Sequence, residues 1–336
     1  MASADEEPLS PATNGGALLR RRPHFHSTSR AHTPLLLFRS DASFAEERSL
    51  LVETDMPAWY QHTPYILTGY RRIQHSYTGC FESLLYLHNE SVNFYTHCLG
   101  AIAFTALHLY TRFTLLDPHG ATRSDHIVFG IFHLSAVVCL SFSAQFHLFC
   151  CHSQKVQRAC MKCDYVGIVV LIVGSMFCSI YYGFYCYPTM QMMYMAMTAV
   201  AGLVTIFVNT SESFVGPKYR PLRTFLFISI GLLGLIPMAH ALLVLDDSFS
   251  ILLRSISATN LALESVAYIG GAMLFLFHIP EAWYPGFFDY WFQSHQIFHV
   301  AVLLGAAFHH AGLVDVFLWR KGFDDESMGC AVRVQA

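Results

Sequence analysis

HIVFGIFHLSAVVCLSFSAQFHLFC, residues 126–150, runs for twenty-five residues without an Asp, Glu, Lys or Arg. A helix needs about 20 apolar residues to cross the ~30 Å hydrocarbon core of a bilayer. This stretch is therefore long enough to span one, and its uncharged length predicts that it does. Two polar side chains near its end, Ser143 and His147, are four residues apart and so share one helix face.

Six further runs of the same kind flank it, at 97–113, 165–187, 190–210, 224–245, 255–279 and 291–319. The second to fifth of the seven carry no Asp, Glu, Lys or Arg. The whole chain fits this reading. Of 336 residues 54% are hydrophobic and only 13% charged, with a mean hydropathy of +0.40, against about 25% charged in an ordinary soluble domain. That composition excludes a disordered chain, a collagen-like chain and a small disulfide scaffold. A net charge of -3 gives no footing for a nucleic-acid partner. Helices are the expected spanning form, because each satisfies its own backbone polar groups. A barrel would need alternating strands of ~10 residues, and none is present. The fold class predicted is an all-α membrane protein with seven transmembrane helices, multi-pass in the plasma membrane or an endomembrane.

The first ~50 residues differ in kind, being polar, rich in Ser and Pro and without helical period, as in a disordered tail. No apolar segment follows the Arg20 to Arg22 run, so no cleaved secretory signal is expected. The organisation predicted is a disordered and amphipathic N-terminal region at 1–63, an interfacial segment at 64–96, the seven-helix domain at 97–319 and a short tail at 320–336. Basic residues sort the loops into two sides. Arg71 and Arg72, then Lys155, Arg158 and Lys162, then Lys218, Arg220 and Arg223 fall on one side. The other side is poorer, with Arg112, Arg123 and Arg254. The N-terminus is expected to be cytosolic and the C-terminus outside, although Arg320 and Lys321 pull mildly the other way.

Mapped on this topology, Ser143 and His147 close the second span, Asp164 opens the third, and His295 and His299 share a face at the start of the seventh. Three His and one Asp thus meet at one depth near the cytosolic face. Three neutral imidazoles with a water in the fourth position form a recognised catalytic zinc arrangement, and a nearby Asp can orient or deprotonate that water. An interfacial His pair bonded to carbonyls is the bland alternative. Cys160 and Cys163 form a C-x2-C pair, but structural zinc usually wants two such pairs. The ten Cys read as reduced, buried small hydrophobes. His108 and His133 are expected to satisfy neighbouring helices, and His240, after Pro237, to fill a backbone gap at a kink. Glu264, well inside the sixth span, is functional by default or pairs with Arg254 or a neighbour. His309 and His310 lie too far along the seventh span to join His295 and His299. Gly167, Gly174, Gly231, Gly234, Gly270 and Gly271 read as close helix packing.

Three stretches carry a resemblance: HNESVNFYTH at 88–97, FSAQFHLFCCHSQKVQRACMKCDYVGI at 142–168 and FDYWFQSHQIFHV at 288–300. In this order they resemble the progestin and adipoQ receptor family, nearest its adiponectin-receptor and fungal branches, with hemolysin III a remoter relative. The likeness covers roughly 70–319. It implies a seven-helix protein with a cytosolic N-terminus and zinc on His147, His295 and His299. The family's Asp and Ser fall on Asp164 and Ser143. Glu264 departs from the animal receptors, and the N-terminal tail has no counterpart.

Two functions follow. The first is a zinc-dependent amide hydrolase acting on a ceramide-like lipid, with Asp164 and Ser143 in the catalytic roles and links to lipid and zinc homeostasis. The second is a signalling receptor for an extracellular protein or steroid-like ligand, with structural zinc. A transporter draws only on Glu264, Pro237 and the intramembrane His.

Overall fold

The computed structural model describes residues 50–60, 63–214, 217–244 and 253–322. The expected N-terminal tail and most of the C-terminal tail lie outside these residues. Seven helices are long and apolar enough to cross a membrane: Ser91–Leu116, Arg123–Phe149, Gln154–Gly183, Pro188–Thr210, Arg220–Leu243, Ala258–Phe277 and Ser294–Lys321.

The elements, in chain order, are α1 (Tyr77–Glu82), α2 (Ser91–Thr111), α3 (Arg123–Phe149), α4 (Gln154–Gly183), α5 (Pro188–Thr210), α6 (Arg220–Leu232), α7 (Leu235–Val244), α8 (Ala258–Phe277) and α9 (Ser294–Lys321). Local chemistry sets their starts. Thr122 and Asp125 form a capping box at α3, each side chain bonding the other's backbone N–H. Ser153 caps α4 by accepting from the Val156 N–H. Pro188 opens α5, where its missing N–H is no loss.

The first span starts six residues before the expected 97 and ends in a π-helical turn, Arg112–Leu116. The fifth span is not one helix. It breaks between α6 and α7 at Leu233 and Gly234, and Pro237 sits inside the first turn of α7. His240 does not fill a backbone gap there; it bonds the Tyr194 hydroxyl on α5.

Packing is uneven. The strongest helix pairings are α3 with α4, α8 with α9, α2 with α3 and α4 with α5. The apolar window of α3 is 56% buried and that of α8 only 11%. α3 therefore forms the centre, and the outer helices turn most of their surface outward, as lipid-facing helices do. The main core joins Phe104, Phe129, Phe132, Leu140, Leu171 and Phe317. Glycine admits the closest approach: a Cβ on Gly167 would stand 3.0 Å from the Cα of Cys139, so α3 and α4 touch backbone to backbone. Gly174 and Gly271 instead make room for side chains, those of Ser135 and Ala301. Gly231 and Gly270 do not, since a Cβ on either meets nothing within 4 Å among the described residues.

The segment before the first span is a folded cap. Met56, Tyr60, Ile66, Tyr70 and Cys80 pack with Phe146, Leu148, Cys150 and Cys151 at the end of α3. Arg71 is fully buried there. Its guanidinium donates to the carbonyls of His147 (2.6 Å) and Leu148 (3.1 Å) and to Ser83 Oγ (2.8 Å). It thus serves the carbonyls that a helix end leaves without partners. The loop before α9 is tied to this cap. Asp289 accepts from the backbone N–H of Leu67 (3.0 Å) and Thr68 (2.8 Å), and Gln293 donates to the Asn89 carbonyl (3.1 Å).

Candidate metal centre

Four elements meet beneath the cap: the start of α2, the end of α3, the start of α9 and α4 at Asp164, which lies ten residues inside that helix rather than opening it. His147 comes from α3, with His295 and His299 one turn apart on α9. One ring nitrogen from each lies within 4.8 Å of the others, and His147 Nε2 is 3.2 Å from His295 Nε2. His147 and His299 are fully buried. Among the described residues no other group of three His, Cys, Asp or Glu converges so closely.

Hydrogen bonds at the far side of two rings fix which nitrogen faces inward. His147 Nδ1 lies 2.6 Å from Glu90 Oε2. A carboxylate only accepts, so Nδ1 carries the proton and Nε2 keeps its lone pair. His299 Nδ1 lies 3.1 Å from the Asn93 carbonyl, with the same result. Asn93 Nδ2 in turn donates to Glu90 Oε2 (2.7 Å). His97 stacks on His299, with ring centroids 3.6 Å apart and planes 7° off parallel. This is the outer shell that holds imidazole ligands in one tautomer and one orientation. The donor set, two buried imidazoles and a half-buried third with ring nitrogens converging, fits a borderline-soft divalent ion such as zinc. The residues can hold a metal ion.

Asp164 and Ser143 join the same space. Asp164 is buried, has the Ser143 hydroxyl as a hydrogen-bond partner, and lies in electrostatic reach of His147. All five residues singled out in the sequence line one cavity of about 1120 Å³. Its wall beyond them is largely apolar, with Met161, Ile168, Leu171, Phe227 and Ile228 among the contributors.

The sequence reading missed Glu90. It stands inside the HNESVNFYTH stretch, but nothing in its spacing pairs it with a His fifty-seven residues away. A buried acid at a helix start was the available signal, and burial is not visible in sequence.

Other candidates resolve differently. Cys160 and Cys163 are both free thiols and join no metal-type group among the described residues. Cys186 is disulfide-bonded, so the reading of every Cys as reduced is corrected at that position. Arg254 pairs with Asp315 (3.0 Å), and Glu264 with His309 (2.9 Å). His133 contacts His108 (3.4 Å) and His310 (3.2 Å), which bears out their use in joining helices.

Comparison with known proteins agrees with the resemblance. A family model described as haemolysin-III related matches residues 85–310. The chain is 37% identical over 281 residues to the "Adiponectin receptor protein" of Drosophila melanogaster, covering 84% of this chain and 62% of the fly protein. It is 35% identical to "Heptahelical transmembrane protein 1" of Arabidopsis thaliana, covering 85% of each. It is also 35% identical to the "ADIPOR-like receptor IZH2" of Saccharomyces cerevisiae, covering 80% of this chain and 84% of the yeast protein. The chain thus spans about six-tenths of the fly protein's length.

Proposed function

We propose a function from one premise: this chain belongs to the haemolysin-III related family, as an adiponectin-receptor-like integral membrane protein of seven candidate transmembrane helices. Our reading is a zinc-dependent hydrolase that cleaves the amide of a ceramide-like lipid. The observation that carries it is the Asp164 and Ser143 pair in the same cavity as the converging His147, His295 and His299.

A zinc ion held by the three His would polarise an amide carbonyl and acidify a water. The protein's own groups divide the remaining work. Glu90 and the Asn93 carbonyl hold two imidazoles in register. The Asp164 carboxylate takes the proton from the attacking water and returns it to the leaving nitrogen. Amide plus water thus gives carboxylic acid plus amine. The Ser143 hydroxyl keeps the Asp164 carboxylate turned toward the reaction. The apolar wall takes the acyl chain and excludes bulk water. The buried Arg71 anchors the carbonyl of His147 and so fixes the end of α3.

Orientation follows from charge. Arg72, Lys155, Arg158, Lys162 and Lys218 cluster around the end of the bundle that carries the His triad. The bias of Lys and Arg toward the cytosolic side makes that end, and the N-terminus, cytosolic. The test is hydrolysis of a labelled ceramide by purified protein in liposomes, beside His299→Ala. Turnover that needs zinc and vanishes in the variant supports the reading. Equal turnover in the variant overturns it.

A second reading is a signalling receptor with structural zinc, favoured by the word receptor in the names of the fly and yeast relatives. On that reading chelation lowers the unfolding temperature and removes no chemical activity.

A further inference from the structure

The cavity has a second polar station deep in the bundle, away from the His triad. Glu264 on α8 and His309 on α9 are both buried and both line it. They bond through His309 Nδ1 and Glu264 Oε2 at 2.9 Å. The carboxylate fixes the proton on Nδ1, so His309 Nε2 is a lone-pair acceptor. That atom is buried and has no hydrogen-bond partner among the described residues. Two hydroxyls lining the same cavity share the condition, Tyr268 Oη and Ser175 Oγ. Tyr268 lies one turn from Glu264 on the same face of α8, and Ser175 is buried on α4.

Buried polar atoms are nearly always paired, and each exception asks for an explanation. Here one acceptor and two hydroxyls without partners among the described residues border one largely apolar cavity. A pure alkyl chain would leave all three unsatisfied, each at the cost of its lost hydration. A ketone could not donate to His309 Nε2. An alcohol can donate to that nitrogen and accept from Tyr268 or Ser175 at once.

We propose that Glu264, His309, Tyr268 and Ser175 form a hydroxyl-recognition subsite, and that this cavity selects lipids carrying an alcohol partway along the chain. The proposal rests on the reading of the cavity as a lipid site. Depth sets the position of the alcohol. His299 and His309 are ten residues apart on α9, or about 15 Å along its axis. An extended chain advances ~1.2 Å per bond, so the hydroxyl falls ~12 bonds from a head group held beside the triad.

The experiment is competition for bound radiolabelled octadecanoic acid on the full chain in detergent. The competitors are octadecanoic acid and its 2-hydroxy and 12-hydroxy forms. The 12-hydroxy acid is expected to compete about tenfold more strongly than the parent, the worth of one or two net hydrogen bonds. The 2-hydroxy acid gains no such advantage. Glu264→Leu with His309→Leu removes both partners and leaves no lone buried charge. That double variant keeps binding octadecanoic acid and loses the preference. Tyr268→Phe, which keeps the ring, lowers the preference several-fold and serves if the double variant does not fold. Equal competition by the parent and 12-hydroxy acids overturns the subsite and leaves the lipid cavity standing. So does a preference that survives in the folded variants. Failure of folded protein to bind the labelled acid at all overturns both.

Discussion

At the His295 end of α9 the ring nitrogens point at one another; at the His309 end they point at different neighbours. Both groups are rich in His, largely buried, and share α9. In the first, Glu90 and the Asn93 carbonyl occupy Nδ1 of His147 and His299, and the free lone pairs converge. In the second, His309 faces Glu264, while His133 bridges His108 and His310 on two different ring atoms. Those imidazoles are strung in a line and cannot close around one ion. The difference lies in what holds the far side of each ring, not in residue type.

The largest effect expected on this contrast is loss of the metal. His147→Ala removes one of the three ligands that our proposal assigns, and on that proposal metal analysis after dialysis falls from near one zinc per chain to near none. Retained zinc would break the comparison at its root. Glu90→Gln leaves the three ligands and changes only the partner of His147 Nδ1. Zinc affinity, read by competition with a chelator, should drop about 10–100-fold. An unchanged affinity would mean that tautomer control contributes nothing.

The cap sharpens the contrast through pH. His88 is fully buried beside Arg71, and burial first, then the guanidinium, lowers its pKa to about 2. Its folded pKa lies below the unfolded value near 6.5, so the unfolded chain takes up the proton first. The cap's stability is complete above pH ~6.5. It falls by up to about 1.4 kcal/mol per pH unit below that. The unfolding temperature of metal-free protein should decline through this range, with a shallower decline in His88→Leu. The smallest effect is on the outer His line. His310→Asn should leave zinc content unchanged, because among the described residues His310 bonds His133 and packs on Phe129, joining α9 to α3 away from the triad. A drop in zinc would mean the two groups communicate along α9.

Legibility followed the range of the interaction. The seven candidate spans are readable from long apolar runs, because a bilayer imposes one length on each. His147, His295 and His299 were readable because i, i+4 spacing and topology bring them to one depth. Pro237 signals a kink in the fifth span, but the break itself stands at Leu233 and Gly234, before the proline. Gly231 and Gly270 looked like packing glycines and face open space, since a glycine does not say which side its neighbour stands on. Glu264 stands out in the sequence as an acid inside an apolar run, but no local spacing points to His309, its partner forty-five residues on.

The sequence by itself determined that the chain has seven segments long and apolar enough to cross a membrane and which imidazoles fall at matching ends of them. Both follow from apolar length and helical period, which are local properties. Only the tertiary structure decided that Glu90 and Asn93 orient two of those rings, that Arg71 caps α3, and that one cavity runs from the His triad to Glu264 and His309. Those are contacts between residues distant in the chain, and helix packing alone selects them.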